Sequence, residues 1–476
     1  MRPRGWPWFA SLLALIVIAG SCKSLPALPS QGGPAWIELT SDHFTIWTDA
    51  SESTARALVP KLENTRQVIL GMAFPSSSDA GRIFVIAFRS EWELKEFLPP
   101  GTSAMTFVTD TAGQLTLALT ADVDDRPDVV AHELTHAVSR SVLPHQPRWF
   151  AEGLATFFES TSMDPNLTTV DLGKPSPSRL KWLSHAPLLS VAQMMTCSEH
   201  GGCDIGSFYN MAWAFYSYLA NVQPETLRRI QELLATLPPQ DANRVWEIAF
   251  PKTDYADLTS RVRSWLTQGS TRVWHFHVIH RPFSISVRPL QDADVLAARA
   301  YLYSLHPSRP TAKHAVTAAL STDPTNDLAS FVQWRLTAVT APSTRPDPTL
   351  AGRVAATHPE SWWAQYLAYL AHPTGPQRAL ARARLCTLVA RNSSIVLDRR
   401  ICPRVVQLDP AASADPSPPP SPSLPPSPPS PLSLPSPPSP PSPPPWPAPS
   451  PSSPPPSTPP LPSRPPSPPA PTSPSL

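Results

Sequence analysis

Charge of one sign is scarce in this sequence. Of 476 residues, 38 are Lys or Arg and 36 are Asp or Glu, a formal net charge of +2 with no basic block. That balance argues against nucleic acid as a main partner. Long apolar runs are scarce as well. None follows the first 22 residues, so the remainder is expected outside the membrane. Cysteine is sparse, five in all. The length exceeds what one core usually holds, so two folded domains with accessory segments are expected.

What is there begins at the N-terminus. Arg2 and Arg4 form a positive region, and Phe9 to Ala19 is an apolar run too short to span a bilayer comfortably. Ile18-Ala19-Gly20-Ser21-Cys22 follows, and it resembles the lipobox of bacterial lipoprotein signal peptides. The resemblance implies that Cys22 is lipidated and becomes the mature N-terminus, anchoring the protein in the bacterial cell envelope with its folded part outside the cytoplasm. Ala19 sits where Leu is commoner, and a plain signal peptide cut near Ala19 or Ser21 is the alternative. With Cys22 lipidated, four cysteines remain in an oxidising compartment. Cys197 with Cys203, and Cys386 with Cys402, are the natural disulfide pairs, with free buried thiols as the other reading.

Residues 23–35 read as a tether. Ile37–Leu39 and Phe44–Trp47 alternate around Ser41-Asp42 as a hairpin does. Ser51-Glu52-Ser53 precedes a helical stretch with Ala55, Leu58, Leu62 and Val68 on one side. Ile83–Phe88 reads as a buried strand. Met105–Val108 and Leu115–Leu119 read as two more, joined by a turn at Thr111-Ala112-Gly113. Helical signals then dominate to about residue 268, an α+β order. A second helical region begins near Gln291. Within it Thr322-Asp323-Pro324 with Ala329 recurs as Thr357-His358-Pro359 with Ala364. That period, with Pro at helix starts, resembles the tetratricopeptide repeat; an irregular bundle is the competing reading. Residues 411–476 hold 33 of the 66 prolines, mixed mostly with serine. Such a tail cannot bury a core and is expected to be disordered, sampling polyproline II.

The stretch that carries chemistry is His132-Glu133-Leu134-Thr135-His136. Asp125 is placed to cap its helix, Pro127 falls in the first turn and Pro144 marks the far end. Residues four apart share a helix face, so both imidazoles can reach one ion, while Glu133 leans over it without binding. Downstream, Pro147-Arg148-Trp149-Phe150-Ala151-Glu152-Gly153-Leu154-Ala155 starts a second helix. Glu152, Thr156 and Glu159 share one face of it. A short turn between the helices lets a carboxylate complete a three-ligand site with one open position, the catalytic arrangement of zinc.

His-Glu-x-x-His followed by Trp-x-x-Glu-Gly-x-Ala resembles the gluzincin metallopeptidases, in particular the bacterial peptidase-MA-like domains. The resemblance covers roughly residues 36–268 and takes in Phe208-Tyr209-Asn210-Met211-Ala212-Trp213-Ala214. It implies a zincin-like fold, Zn2+ held by His132, His136 and Glu152, Glu133 as general base and then acid, and peptide or protein as substrate. Tyr209 resembles a transition-state-stabilising tyrosine of that family, although a core aromatic is the plainer reading. Fifteen residues separate His136 from Glu152, a shorter gap than in the best-studied members.

The expected organisation is therefore α+β. A signal peptide spans 1–22, a tether 23–35 and a zinc peptidase domain 36–268. A helical, tetratricopeptide-like domain spans 269–410, and the tail 411–476. His145, His185 and His200 read as surface or loop residues. His275-Phe276-His277 with His280 alternates as a strand does, without a ligand partner. Two rival functions stand beside peptide hydrolysis: a non-catalytic envelope lipoprotein whose helical region binds a protein partner, and a zinc amidase acting on cell-wall material.

Overall fold

Ser41 and Asp42 do reverse the chain. In the computed structural model, β1 (Ile37–Thr40) and β2 (Phe44–Thr48) pair antiparallel, and Ser41 N donates to Phe44 O at 2.9 Å. The structure describes residues 26–402 apart from 76, 78–80, 101, 108–111, 125, 165, 167, 186–187, 198–201, 270, 279–282, 306–308, 393 and 398–399. The signal segment with Cys22, Asp125, His200, His280 and the proline-rich tail lie outside the described residues.

The remaining strands are β3 (Ile83–Phe88), β4 (Met105–Phe107), β5 (Ala112–Gln114), β6 (Thr116–Thr120), β7 (Ser162–Met163), β8 (Thr169–Leu172), β9 (Trp274–His277), β10 (Ser286–Pro289) and β11 (Ile395–Leu397). Up to residue 268 the helices are α1 (Glu52–Ala73), α2 (Glu91–Lys95), α3 (Pro127–Val142), α4 (Arg148–Phe158), α5 (Pro177–His185), α6 (Val191–Thr196), α7 (Ile205–Val222), α8 (Pro224–Thr236), α9 (Val245–Ala249) and α10 (Tyr255–Gln268). Beyond it lie α11 (Asp292–Leu305), α12 (Arg309–Thr322), α13 (Asp327–Thr340), α14 (Pro348–Thr357), α15 (Trp362–Ala371) and α16 (Pro376–Arg391). The chain is thus mixed α and β with a helical C-terminal region.

The main sheet has the order β10-β1-β2-β3-β6-β4, parallel across β2-β3-β6 and antiparallel elsewhere. The period of two along each strand sorts its side chains onto two faces. Leu39, Phe44, Ile46, Val85 and Leu117 enter one core with α1, α3, α4 and α7. Trp47, Phe84, Ile86, Phe88 and Ala118 enter a second with the helices beyond residue 290. Every residue of β3 is buried, which is why it reads as an unbroken apolar run. The ring of Phe84 meets Trp363 at 5.6 Å and Tyr301 at 6.4 Å. The sheet therefore crosses the boundary placed after residue 268. β10 closes one edge, and the C-terminal helices roof one face.

Two local expectations are corrected. Ala112–Gln114 is not a turn joining two strands. It is strand β5, paired antiparallel with β11, while β4 and β6 pair directly with each other. The N-cap position of α3 is Arg126, which makes no side-chain capping bond, and the expected cap Asp125 lies outside the described residues. Pro324 and Pro359 do not start helices. The two copies of the short repeat each close one, α12 at Thr322 and α14 at Thr357, and the next begins at Asp327 or Trp362. Proline fits the connecting turn, and the caps come later: Asn326 Oδ1 accepts from Ala329 N at 2.9 Å, and Ser361 Oγ from Ala364 N at 3.3 Å.

The end of the expected tether is docked, since Ser30 N donates to Asp292 Oδ1 at 3.1 Å and its hydroxyl bonds the same carboxylate. Disulfides join Cys197 to Cys203 and Cys386 to Cys402.

One ion pair fastens α11 to α2. Arg299 Nη2 lies 3.0 Å from Glu93 Oε1, with both side chains buried. Removing one partner strands the other charge, a loss of about 3–5 kcal/mol. Arg299→Ala is expected to lower stability by that amount, measured by denaturant unfolding. The paired change Glu93→Leu with Arg299→Met should recover most of it.

Candidate metal centre

α3 and α4 pack together because each carries one apolar side. Val130, Leu134, Ala137 and Val138 of α3 and Trp149, Phe150, Leu154, Phe157 and Phe158 of α4 all enter the first core. Pro147 occupies the N-cap of α4, so the connection is short and the polar sides of the two helices face each other. Gly153 lets α4 press against α7. A Cβ there would stand 2.7 Å from the Ala212 carbonyl oxygen and 3.0 Å from Tyr216 Cβ. That close crossing carries Tyr209 and Asn210 to the same place.

The result is a compact donor triangle. His132 Nε2 and His136 Nε2 are 3.1 Å apart, and Glu152 Oε2 lies 3.5 and 3.4 Å from them. Ligands at about 2.0–2.2 Å around a tetrahedral ion stand about 3.3 Å from one another. Glu152 Oε2 is buried without a hydrogen-bond partner, as a ligand atom awaiting a cation is. Two imidazole nitrogens and one carboxylate oxygen are a zinc donor set. Among the described residues, His132, His136 and Glu152 form the group able to hold a metal ion.

Strong mutual polarisation marks the cluster. Burial alone would lower the pKa of His132, but the neighbouring carboxylates of Glu152 and Glu159 outweigh it and push the pKa up to about 10. Burial alone would raise Glu152, yet the charges of His136 and His132 hold its carboxyl well below the usual range.

Behind the triangle runs a supporting chain. His132 Nδ1 contacts Glu159 Oε1 at 2.8 Å; Glu159 Oε2 accepts from Arg179 Nη2 at 2.5 Å; Arg179 Nη1 donates to Asn210 Oδ1 at 3.1 Å. A carboxylate on Nδ1 fixes the ring's tautomer and turns Nε2 toward the metal position. Glu159 was visible as a member of the polar face, without a role. Arg179 gave no sequence signal, because its side chain is brought in by a helix that begins only at Pro177.

Glu133 does not join the donor set. Its Oε2 accepts from Thr106 N on β4 at 2.6 Å, and its backbone oxygen accepts from the Thr106 hydroxyl at 2.6 Å. Tyr209 is half-buried rather than a core ring, with its centroid 6.3 Å from that of His132. Burial and the charge of Glu152 raise its pKa, so the phenol keeps its proton as a donor. His132, Glu133, His136, Glu152 and Tyr209 line one cavity of about 990 Å³, together with Met105, Thr106 and Phe107 of β4, Arg140, Arg148, Cys197, Leu305 and Arg335.

No protein-family model matches this chain, and no curated protein matches it.

Elsewhere, the histidines of β9 have no part in the site. His275 Nδ1 contacts Asp171 Oδ1 at 2.6 Å on the surface, across the β8–β9 pair. The ring of His185 is not among the described side chains.

Proposed function

We propose that the chain is a zinc-dependent peptidase of gluzincin type, exported and held in a bacterial cell envelope by lipid on Cys22. The observation that carries the reading is the convergence of His132 Nε2, His136 Nε2 and Glu152 Oε2 to within 3.1–3.5 Å beside the carboxylate of Glu133. Zinc bound by these atoms supplies Lewis acidity toward a carbonyl oxygen and lowers the pKa of a water toward about 7.

The chain's own residues do the rest. Glu133, held by a backbone N–H from β4, takes a proton from the attacking water at its carboxylate and delivers it to the leaving amine. Tyr209, kept protonated, donates to the developing oxyanion. The Glu159–Arg179 pair holds His132 in register. β4 ends the main sheet on the cavity side, and among the described residues no strand covers its outer edge.

The test is a peptide-library digest by the zinc-loaded full chain, read by mass spectrometry. Cleavage supports the reading; stoichiometric zinc with no cleavage of any library member defeats it. The anchor has its own test. Cys22→Ser should shift the protein from the detergent phase to the aqueous phase on phase separation, since lipid supplies the membrane affinity. A wild-type chain that incorporates no labelled fatty acid contradicts the lipoprotein assignment.

A further inference from the structure

The cavity has a wall that the peptidase resemblance does not reach. Leu305 at the end of α11 and Arg335 on α13 both line it, so the C-terminal helices contribute side chains to the cleft itself. Arg335 is half-buried, and its Nη1 is sealed from solvent without a hydrogen-bond partner. Among the described residues no carboxylate stands within ion-pair distance of it. Burial pulls its pKa down, and the group opposing that effect is the Tyr301 phenol rather than an acid.

Two other sheltered arginines are matched by carboxylates. Arg299 meets Glu93 and Arg179 meets Glu159. A guanidinium cannot shed its proton to escape burial, so an unmatched one costs stability unless an anion joins it. The acids of the cleft are not available for that. Glu152 belongs to the donor triangle, and Glu133 is bonded to Thr106. The other cations on the wall are engaged elsewhere, with Arg140 Nη1 donating to Pro144 O at 3.0 Å and Arg148 lying 4.2 Å over the Phe208 ring.

We propose that Arg335 is a specificity-determining residue that receives a carboxylate of the bound peptide, making anionic peptides the preferred substrates. This rests on the peptidase reading of the same cleft. The carboxylate comes from an Asp or Glu side chain or from a free C-terminus, and bidentate pairing with a planar guanidinium suits both.

The experiment uses the full chain carrying Glu133→Gln, so that bound peptide is not consumed. Four forms of one octapeptide are titrated calorimetrically: internal Glu or Gln, each with a free or amidated C-terminus. An anionic form is expected to bind about 10- to 100-fold tighter than the doubly neutral one. Adding Arg335→Gln should erase that ratio while leaving the neutral peptide's Kd within about twofold, and Arg335→Lys should restore part of it. Preference for Glu names the side chain as the source, and preference for the free terminus names the C-terminus. An equal Kd for all four forms, or a preference that survives Arg335→Gln, overturns the proposal.

Saturation-transfer NMR with N-acetylglutamate and N-acetylglutamine separates the two readings. If no peptide binds but N-acetylglutamate alone binds in an Arg335-dependent way, the peptidase reading fails and the anion site stands. If peptides are cut without regard to charge, the reverse holds. If neither N-acetyl compound nor any peptide binds, both fall.

Discussion

Glu133→Gln in the full chain is expected to abolish peptide hydrolysis while leaving fold and zinc content unchanged. The side chain contributes no atom to the donor triangle, so the metal should remain at one equivalent. Its contact with β4 also survives, because a Gln amide oxygen can accept from Thr106 N as the carboxylate oxygen does at 2.6 Å. What the amide cannot do is take a proton at neutral pH. Loss of a general base removes about 10²–10⁴-fold in rate, and more where the same group also protonates the leaving amine. The measurement is initial rate on a peptide cut by the wild type, with zinc determined in the same samples. A variant that retains even a tenth of the wild-type rate takes Glu133 out of the proton path.

Glu152→Ala is expected to lose stoichiometric zinc on dialysis against a mild chelator. It removes a buried, negatively charged oxygen that stands 3.4–3.5 Å from both imidazole nitrogens and has no other partner. Two neutral rings alone do not close a site. Glu152→Asp keeps the charge but withdraws it by one methylene, far beyond the roughly 0.2 Å that zinc distances tolerate, so it should weaken binding strongly. Glu159→Ala should act differently. It leaves the donors in place and frees His132 Nδ1, for which a drop of about 10- to 100-fold in zinc affinity is the usual consequence. In competitive chelator titrations the wild type should therefore hold zinc most tightly, Glu159→Ala less tightly and Glu152→Ala least. Reversal of the two variants would make Glu159 the ligand and require a different turn between α3 and α4.

The parts of this fold that could be read in the sequence are those whose cause is local. The β1–β2 hairpin follows from alternation around Ser41-Asp42, and α1 from its Ser51 cap. The facing of His132, His136 and Glu152 follows from two helical periods joined by a short connection. What escaped is pairing at long range. Ala112-Gly113-Gln114 has no strand pattern of its own and becomes β5 only because Ile395–Leu397 lies beside it. β10 is a short edge strand ending in Pro289, mostly exposed, whose register with β1 is set some 250 residues away. Arg179 and Arg335 were silent for the same reason. Nothing beside them in the chain announces a role, and only packing brings Arg179 to Glu159 behind His132 and Arg335 to the cleft wall.

The two-sided burial of the sheet also sets the order of events during synthesis. Trp47, Phe84, Ile86 and Phe88 are laid down early, yet the helices that shelter them arrive about 200 residues later. A chain stopped near residue 268 would carry an aromatic sheet face open to water, and β1 would lack its β10 neighbour. Such a fragment would expose an apolar patch of the kind that promotes aggregation. The cleft, one wall of which is Arg335, is likewise complete only after α13 has emerged. On the peptidase proposal, competence would therefore be timed to nearly the full length of the chain, because the helix with His132 and His136 is made long before the wall carrying Arg335.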